Sequence, residues 1–246
     1  MKTKNIQVRL RDGVMGAHLA FPERTPAGAI IAIMEIWGVN DTMRHHAHEF
    51  AEAGFICLVP DLFWRQEPGV ELSDKNPDHV QKAFDLYYEF DYDLGVRDME
   101  DVWHYLQKLP ECNGKVGAVG YCFGGAVVIN MARTGTDLAA VAGFHASLGL
   151  NTPAPAAGTI KAKILILNGA DDPFVKREQY DTLKKELDAA KADYKVIEYP
   201  GAVHAFTNPE ATALGEKFKL PLKYDAKVDA ESKAEAAKLF AASLKK

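Results

Sequence analysis

Residues 120–125 have the sequence GYCFGG, and this short stretch separates two apolar segments of the chain. Residues 115–119, before it, have the composition of a buried strand, and residues 126–132, after it, have that of a buried helix. A reactive side chain between small residues at a strand-to-helix turn is the nucleophile-elbow pattern, with Cys122 in the place of serine. Glycine is required on both sides of so sharp a turn, because a Cβ atom there would collide with neighbouring backbone. We therefore predict a strand–turn–helix unit that presents Cys122.

The sulfur of Cys122 is expected to lie at the N-terminus of the following helix. Free N–H groups and the partial positive charge at that end favour a thiolate and a developing oxyanion. A buried structural cysteine is the alternative interpretation, since free cysteine is among the most buried residue types. The pattern by itself does not decide between the two, so the decision depends on the other candidate residues.

The composition excludes several classes of protein. The chain has 246 residues, of which 48% are hydrophobic and 26% charged, as is ordinary for a soluble globular protein. A net charge of -5 gives no reason to expect nucleic acid or an anionic membrane as a partner. No apolar run is long enough to span a bilayer, and the N-terminus has no apolar signal region. We therefore expect a cytoplasmic protein, either a monomer or a small homo-oligomer.

The cysteine content is also typical of a cytoplasmic protein. Cys57, Cys112 and Cys122 are too few, and odd in number, for a disulfide framework, and they fit a reducing compartment. No pair of them has the spacing of a zinc site. We expect no metal ion and no organic cofactor.

Strand and helix patterns alternate along the chain. This alternation predicts an α/β fold with a mostly parallel sheet and helices on both faces, and a single domain over residues 1–246. The connection at residues 62–92 is long and mixed in composition, and residues 85–90 suit part of an extra helix. The predicted hairpin covers residues 6–10 and 16–21; the later strands are 29–34, 55–59, 115–119, 139–144, 163–168 and 194–199, and the helices 41–53, 94–109, 126–132, 176–191 and 229–245.

Four chemical groups share one position relative to these strands. Glu35, Cys122, the pair Asp171–Asp172 and His204 each follow a predicted buried strand. In open α/β sheets, ligands bind at the edge formed by the carboxyl ends of the strands. The chain order nucleophile, acid, histidine is also that of α/β-hydrolases.

This placement gives each group a candidate role. Cys122 is the candidate nucleophile and His204 the candidate base that takes its proton. An acid must orient the imidazole, and the spacing G-x-x-D-x-x-V around Asp172 favours it over Asp171. The alternative is that both aspartates only cap the helix that follows them.

Glu35 lies where the apolar strand 29–34 ends, and a charge at the edge of a core is costly unless it is paired. A capping or salt-bridged glutamate is one interpretation. The functional interpretation is a second carboxylate that takes part in controlling the thiol proton. The backbone N–H groups of Ile36 and Phe123 are the candidate oxyanion hole, because one donor comes from the loop after this strand and one from the residue after the nucleophile.

Several other residues attract attention. His45, His46 and His48 lie close together, but no motif such as H-E-x-x-H accompanies them, so we interpret them as a solvated helix face. His145 ends a strand at the catalytic edge, where it suits the wall of a pocket. Candidate apolar walls, for which core packing is an equally good explanation, are Trp37, Phe63, Trp64, Tyr121, Phe123 and Phe206.

The chain resembles the dienelactone hydrolase (carboxymethylenebutenolidase) family from about Gly16 to the last helix. The resemblance is carried by MEIWG (34–38), RHHA (44–47), GFICLVPDLF (54–63), GYCFGG (120–125), NGADDPFV (168–175) and GAVHAFTNP (201–209). It implies the α/β-hydrolase fold and a Cys122–His204–Asp172 triad. It also implies that Glu35 helps to deprotonate Cys122, that Ile36 and Phe123 supply the oxyanion N–H groups, and that the reaction passes through a thioester.

The chain departs from the family pattern where the resemblance implies substrate recognition. Members that cleave dienelactone hold the substrate carboxylate with two arginines, and the corresponding positions here are Val80 and Asn208. Arg65, Lys82 and Arg97 are the candidate replacements. A bidentate clamp specific for a carboxylate is therefore not evident in this sequence.

The leading functional hypothesis is a cysteine-dependent hydrolase of small-molecule carboxylic esters or lactones. A thioesterase or acyltransferase is the alternative among enzymes, because a fold and a triad do not fix the acyl acceptor. A catalytically silent homologue that binds a small molecule is the alternative outside enzymes. The intact set Glu35, Cys122, Asp172 and His204 speaks against the silent homologue.

Overall fold

A sheet forms the centre of the molecule in the computed structural model, which describes residues 2–73 and 75–245. The strands within these residues are β1 (Lys2–Leu10), β2 (Gly13–Phe21), β3 (Ala27–Ile33), β4 (Ile56–Pro60), β5 (Cys112–Tyr121), β6 (Ala140–Phe144), β7 (Lys163–Gly169) and β8 (Tyr194–Tyr199).

The strands lie in the order β1-β2-β4-β3-β5-β6-β7-β8. β1 and β2 form an antiparallel hairpin, and β2 pairs antiparallel with β4. The neighbouring pairs from β4 to β8 are all parallel. β4 lies on one side of β3 and β5 on the other, so the winding direction reverses at β3. The carboxyl ends of the strands around such a switch point are where open α/β sheets bind ligands.

Helices cover both faces of this sheet. α1 and α7 pack on one face, where the rings of Phe50 and Phe240 lie 6.0 Å apart, and α3 and α4 pack together on the other. The predicted fold class, a mostly parallel sheet with helices on both faces, is confirmed. In the described residues the helices are α1 (Asp41–Glu52), α2 (Pro77–Tyr88), α3 (Tyr92–Gln107), α4 (Phe123–Arg133), α5 (Arg177–Ala189), α6 (Ala211–Phe218) and α7 (Ala226–Leu244).

Burial is complete along β3 and α4, as it is along the shorter strands β4 and β6. All seven residues of β3 and all eleven of α4 are buried. α4 keeps two polar side chains inside by pairing them: Arg133 donates to Asn130 Oδ1 at 2.7 Å and to Glu186 Oε2 at 3.1 Å. Buried polar groups with partners do not carry the penalty of unpaired ones. The helix after Cys122 is thus a core element of the fold.

Two helices differ from the sequence prediction. α2 covers Pro77–Tyr88, about two turns earlier than residues 85–90, and α6 at Ala211–Phe218 was not predicted. The sequence contains the start signal of α2. Asn76 Oδ1 accepts the N–H of Asp78 at 3.0 Å as a helix cap, and Pro77 occupies the first helical position. α6 has only eight residues, too short for its pattern to stand out. Among the described helices, none has both the length and the apolar composition needed to cross a membrane.

The packing of α7 on the sheet gives a stability prediction. Phe240 is fully buried against Gly117 of β5, where a Cβ atom at Gly117 would lie 3.1 Å from its ring. We expect Phe240→Ala to reduce the free energy of unfolding by about 3–5 kcal/mol, because it removes buried apolar surface and leaves a cavity. Urea unfolding followed by circular dichroism measures this loss. Val14→Ala is the control, since Val14 is 50% exposed; equal losses in both variants would contradict the packing.

Candidate active site

Cys122 lies at the turn between β5 and α4 in a strained backbone conformation, with φ 53° and ψ -114°. Neighbouring backbone holds it there. The Cys122 N–H donates to the Phe144 carbonyl at 3.0 Å, and its own carbonyl accepts from Gly125 at 3.1 Å and Ser147 at 3.0 Å. Strain of this kind persists where the surrounding structure fixes it, and it is concentrated at functional sites.

The glycines of the turn are explained by close backbone approaches. A Cβ atom at Gly120 would lie 2.1 Å from the carbonyl oxygen of Gly124. A Cβ atom at Gly124 would lie 2.5 Å from the carbonyl oxygens of Ile33 and Met34, at the end of β3. Both distances are far below van der Waals contact, so only glycine fits. The turn predicted from GYCFGG is present, and it is packed directly on the strand that leads to Glu35.

His204 bridges the thiol and an aspartate. Its Nε2 lies 3.0 Å from Cys122 Sγ, and its Nδ1 lies 2.7 Å from Asp172 Oδ2. The second carboxylate oxygen of Asp172 accepts the N–H of Phe174 at 2.9 Å. The structure therefore brings together the three residues that the sequence placed at the ends of β5, β7 and β8. A nucleophile, a base and an orienting acid within hydrogen-bonding distance are the arrangement that activates a thiol.

The charges around His204 favour its protonated form. Burial alone would lower the pKa of His204, but the adjacent sulfur of Cys122 and the carboxylate of Asp172 outweigh it and raise the pKa to about 10. The imidazole is therefore protonated at neutral pH when the sulfur is ionised. A thiolate paired with an imidazolium is the reactive form of a cysteine nucleophile.

The two adjacent aspartates have different surroundings. The Asp172 side chain is fully buried beside His204, whereas Asp171 is exposed to solvent. Neither caps the next helix, because α5 begins at Arg177 with Lys176 in the capping position. The capping interpretation is therefore wrong, and of the two only Asp172 lies beside the imidazole.

Glu35 follows β3 and is held at the same edge. Its side chain is 13% exposed, with Oε1 4.0 Å from His145 Nε2, and Oε2 accepts from Asn208 Nδ2 at 3.5 Å. Glu35 and Ile36 line the same cavity as Cys122. Phe123 is the first residue of α4, and its ring is fully buried. The roles of Glu35 and of the Ile36 and Phe123 N–H groups stay predictions.

A cavity of about 440 Å³ opens beside Cys122 and His204. No lysine or arginine is among the described residues that line it, and Glu35 is the one carboxylate there. The other lining residues are mainly aromatic and aliphatic: Ile36, Trp37, Val80, Phe84, Tyr87, Tyr88, Tyr92, Phe174, Ala205, Leu214, Phe218, Leu220 and Leu222, with Ser147, Gly149, Asn151, Gln179 and Asn208.

The three candidate replacements for the carboxylate clamp do not line this cavity. Arg65 pairs with Asp98, and Lys82 pairs with Glu67 at 2.7 Å. Arg97 is exposed on α3. None of the three candidates therefore supplies a cation to the described pocket.

The histidines behave differently from expectation. His46 is buried, with its ring centroid 4.4 Å from that of Tyr121 and its Nδ1 2.9 Å from Glu49 Oε2, so the solvated-face interpretation is wrong for it.

His145 does not line the cavity. It is fully buried, and its Nε2 is hydrogen-bonded to Thr207 Oγ1 at 2.8 Å. Its ring centroid lies 5.2 Å from that of His204. Burial lowers the pKa of His145 well below its usual value, and His204 adds to the effect. No cluster of three or more metal-binding side chains is present in the described part of the chain.

Sequence reasoning missed part of the cavity wall. Of the six candidate wall residues, Trp37 lines the cavity and Trp64 does not. The other four belong to the core: Phe63, Tyr121, Phe123 and Phe206. The aromatic side chains of α2 and of the start of α3 were not expected. Their signal was the i, i+4, i+7 spacing of apolar residues along α2, at Val80, Phe84 and Tyr87.

Comparisons with known proteins identify relatives of this chain. A family model described as "Dienelactone hydrolase family" matches residues 15–244. A carboxymethylenebutenolidase of Pseudomonas putida is 35% identical over 176 residues, covering 71% of this chain and 74% of that protein. Carboxymethylenebutenolidase 1 of Cupriavidus pinatubonensis is 30% identical over 188 residues, covering 76% and 80%.

Solved structures show the same fold. A dienelactone hydrolase-like promiscuous phosphotriesterase from metagenomic libraries superimposes with a TM-score of 0.82 at 27% identity. The match covers 99% of this chain and 98% of that one. The α/β-hydrolase fold implied by the sequence is confirmed.

The thiol–imidazole contact predicts selective alkylation. We expect iodoacetamide at pH 7 to modify Cys122 far faster than Cys57, which is fully buried and whose thiol pKa is raised by burial. His204→Ala should slow the modification of Cys122 by about tenfold or more, because the thiolate loses its cationic partner. Peptide mass spectrometry measures both rates. The control is His104→Ala, an exposed site on α3; unchanged alkylation in His204→Ala would contradict the pairing.

Proposed function

This chain belongs to the dienelactone hydrolase family, and from that premise we propose that it hydrolyses carboxylic esters or lactones with Cys122 as the nucleophile. The observation that carries the proposal is the pair of contacts at His204, 3.0 Å to Cys122 Sγ and 2.7 Å to Asp172 Oδ2. Such a constellation can form an acyl–enzyme and then transfer the acyl group to water.

The first half-reaction forms a thioester. The Cys122 thiolate attacks the ester carbonyl carbon, and the carbonyl π electrons move to the oxygen. The N–H groups of Ile36 and Phe123 stabilise this oxyanion, since one follows β3 and the other begins α4. When the tetrahedral intermediate collapses, the C–O bond to the alcohol breaks, and the imidazolium of His204 gives the departing oxygen its proton.

The second half-reaction releases the acid. The neutral imidazole of His204 takes a proton from water, and the resulting hydroxide attacks the thioester carbonyl. Collapse of this second intermediate breaks the C–S bond and restores the Cys122 thiolate beside the imidazolium. In a lactone the alcohol and acid belong to one product, so ring opening replaces the departure of the alcohol.

The two carboxylates have separate roles in this proposal. Asp172 accepts a hydrogen bond from Nδ1–H of His204, which fixes the tautomer that presents Nε2 to the sulfur and stabilises the imidazolium. Glu35 takes part in controlling the thiol proton. Its position on the cavity wall with Cys122 and its contacts with Asn208 and His145 support that role.

The nucleophile is tested by removing its sulfur. We expect wild type to hydrolyse simple aryl acetates, and Cys122→Ala to lose at least roughly 10³-fold in kcat/KM, because no acyl–enzyme can form. Dienelactone belongs in the same substrate panel. Rapid quenching followed by mass spectrometry should find one acetyl group on the peptide that contains Cys122.

The control variant is Cys112→Ala, which removes a thiol at the start of β5, outside the cavity. Full aryl acetate hydrolysis by Cys122→Ala would overturn the assignment. Acetyl transfer to an added thiol or alcohol in preference to water would favour the acyltransferase alternative.

The choice of acid is tested by a matched pair of substitutions. Asp172→Asn should lower kcat by roughly two to four orders of magnitude, because the amide no longer fixes the tautomer of His204. Asp171→Asn should leave kcat nearly unchanged, since Asp171 is exposed. Steady-state kinetics on one aryl acetate compare the two, and a larger loss in Asp171→Asn would reverse the assignment.

A further inference from the structure

Two tyrosines stand over the elbow of the candidate site. Tyr87 is near the end of α2 and Tyr92 begins α3, and both line the cavity that contains Cys122. Each ring packs edge-on against the buried ring of Phe123, with centroid distances of 5.4 Å for Tyr87 and 5.6 Å for Tyr92. Because Phe123 follows Cys122 directly, this packing fixes both phenols relative to the sulfur.

The hydroxyl groups of Tyr87 and Tyr92 lie in the neighbourhood of Cys122. They are hydrogen-bonded to each other, and each also has an electrostatic interaction with the sulfur of Cys122. Burial raises the pKa of Tyr87 and of Tyr92 above the ordinary value of a phenol. Both phenols therefore keep their protons at neutral pH. Because one of the two O–H groups is used in the hydrogen bond between the tyrosines, the pair keeps one O–H that can donate to an oxygen acceptor.

The charge of the cavity restricts what such an acceptor can be. No lysine or arginine is among the described lining residues, and the carboxylate of Glu35 faces the same space. A carboxylate on the substrate would lose its hydration without gaining a cationic partner, and it would be repelled by Glu35. An ether, hydroxyl or carbonyl oxygen has a much smaller desolvation penalty, and a phenol hydroxyl is a suitable donor for it.

We propose that Tyr87 and Tyr92 form a donor pair that selects uncharged esters or lactones carrying a second oxygen on the acyl part. The inference rests on the proposed function, because the acyl part is the portion that becomes bonded to Cys122. Hydroxyls near that sulfur therefore face the acyl group in both half-reactions. The pair would select substrates in a cavity whose described lining contains no cationic carboxylate clamp.

The test uses two esters that differ at one place in the acyl chain, where an ether oxygen replaces a methylene group. p-Nitrophenyl methoxyacetate and p-nitrophenyl butanoate share a leaving group and a chain length, and only the first has an acyl ether oxygen. The measured quantity is the kcat/KM for the methoxyacetate divided by the kcat/KM for the butanoate. Differences in intrinsic reactivity cancel when this ratio is compared between variants.

We expect Tyr87→Phe combined with Tyr92→Phe to lower the ratio roughly 5- to 10-fold, the effect of losing one neutral hydrogen bond to the ether oxygen. Tyr105→Phe is the control, because it removes a phenol hydroxyl from α3 outside the cavity. If the double variant does not fold, as shown by its thermal melt, each single variant is measured on the same pair of esters. A lowered ratio in either single variant supports the proposal.

The outcomes separate this inference from the function it rests on. Hydrolysis of both esters with the same ratio in wild type and tyrosine variants would overturn the donor pair and leave the hydrolase intact. Absence of any Cys122-dependent hydrolysis would overturn the proposed function itself. A third substrate, p-nitrophenyl hemisuccinate, tests the charge: its kcat/KM should be at least roughly tenfold below that of the butanoate, and equal efficiency would overturn the selection for uncharged substrates.

Discussion

The backbone conformation of Cys122 is the constraint on which the geometry of the candidate active site depends. A φ of 53° at a residue with a side chain is held only because β5, α4 and the carbonyl of Phe144 fix the chain on both sides. The same turn brings Gly124 against the end of β3, and so it sets the position of Glu35 relative to the sulfur. The loops after β7 and β8 then bring an acid and an imidazole to a site that the elbow has already defined.

The sequence was sufficient for those parts of the structure that are specified locally. The apolar runs that became β3, β4, β6 and β7 are buried on both faces, which is why they contain few polar residues. Cys122, Asp172 and His204 were found because each follows a predicted strand within a recognisable motif, although β8, before His204, is only partly buried. The choice of Asp172 over Asp171 rested on spacing alone, and the burial of Asp172 beside His204 now gives it a physical basis.

What the sequence did not predict depends on contacts between distant segments. α6 is short, and His145 is placed by Thr207 and by the ring of His204, both about sixty residues away in the chain. Tyr87 and Tyr92 belong to different helices, and nothing in their spacing indicates that both would pack on Phe123. The sequence shows that Asn208 stands where an arginine is expected. It does not show that Arg65 is unable to replace that arginine, because the pairing of Arg65 with Asp98 is seen only in the structure. Such features arise from tertiary packing, which a single sequence does not display.

The complete burial of α4 has a consequence for how this protein can change over evolution. In many enzymes the catalytic residue lies on a surface loop that varies independently of the core. Here the helix that presents Cys122 is itself core, with Asn130 and Arg133 locked inside it. Substitutions that alter the packing of α4 therefore act directly on the helix that follows Cys122. Sequence variation that diversifies specificity is left to the segments that wall the cavity, above all α2 and α6, which lie outside that rigid unit.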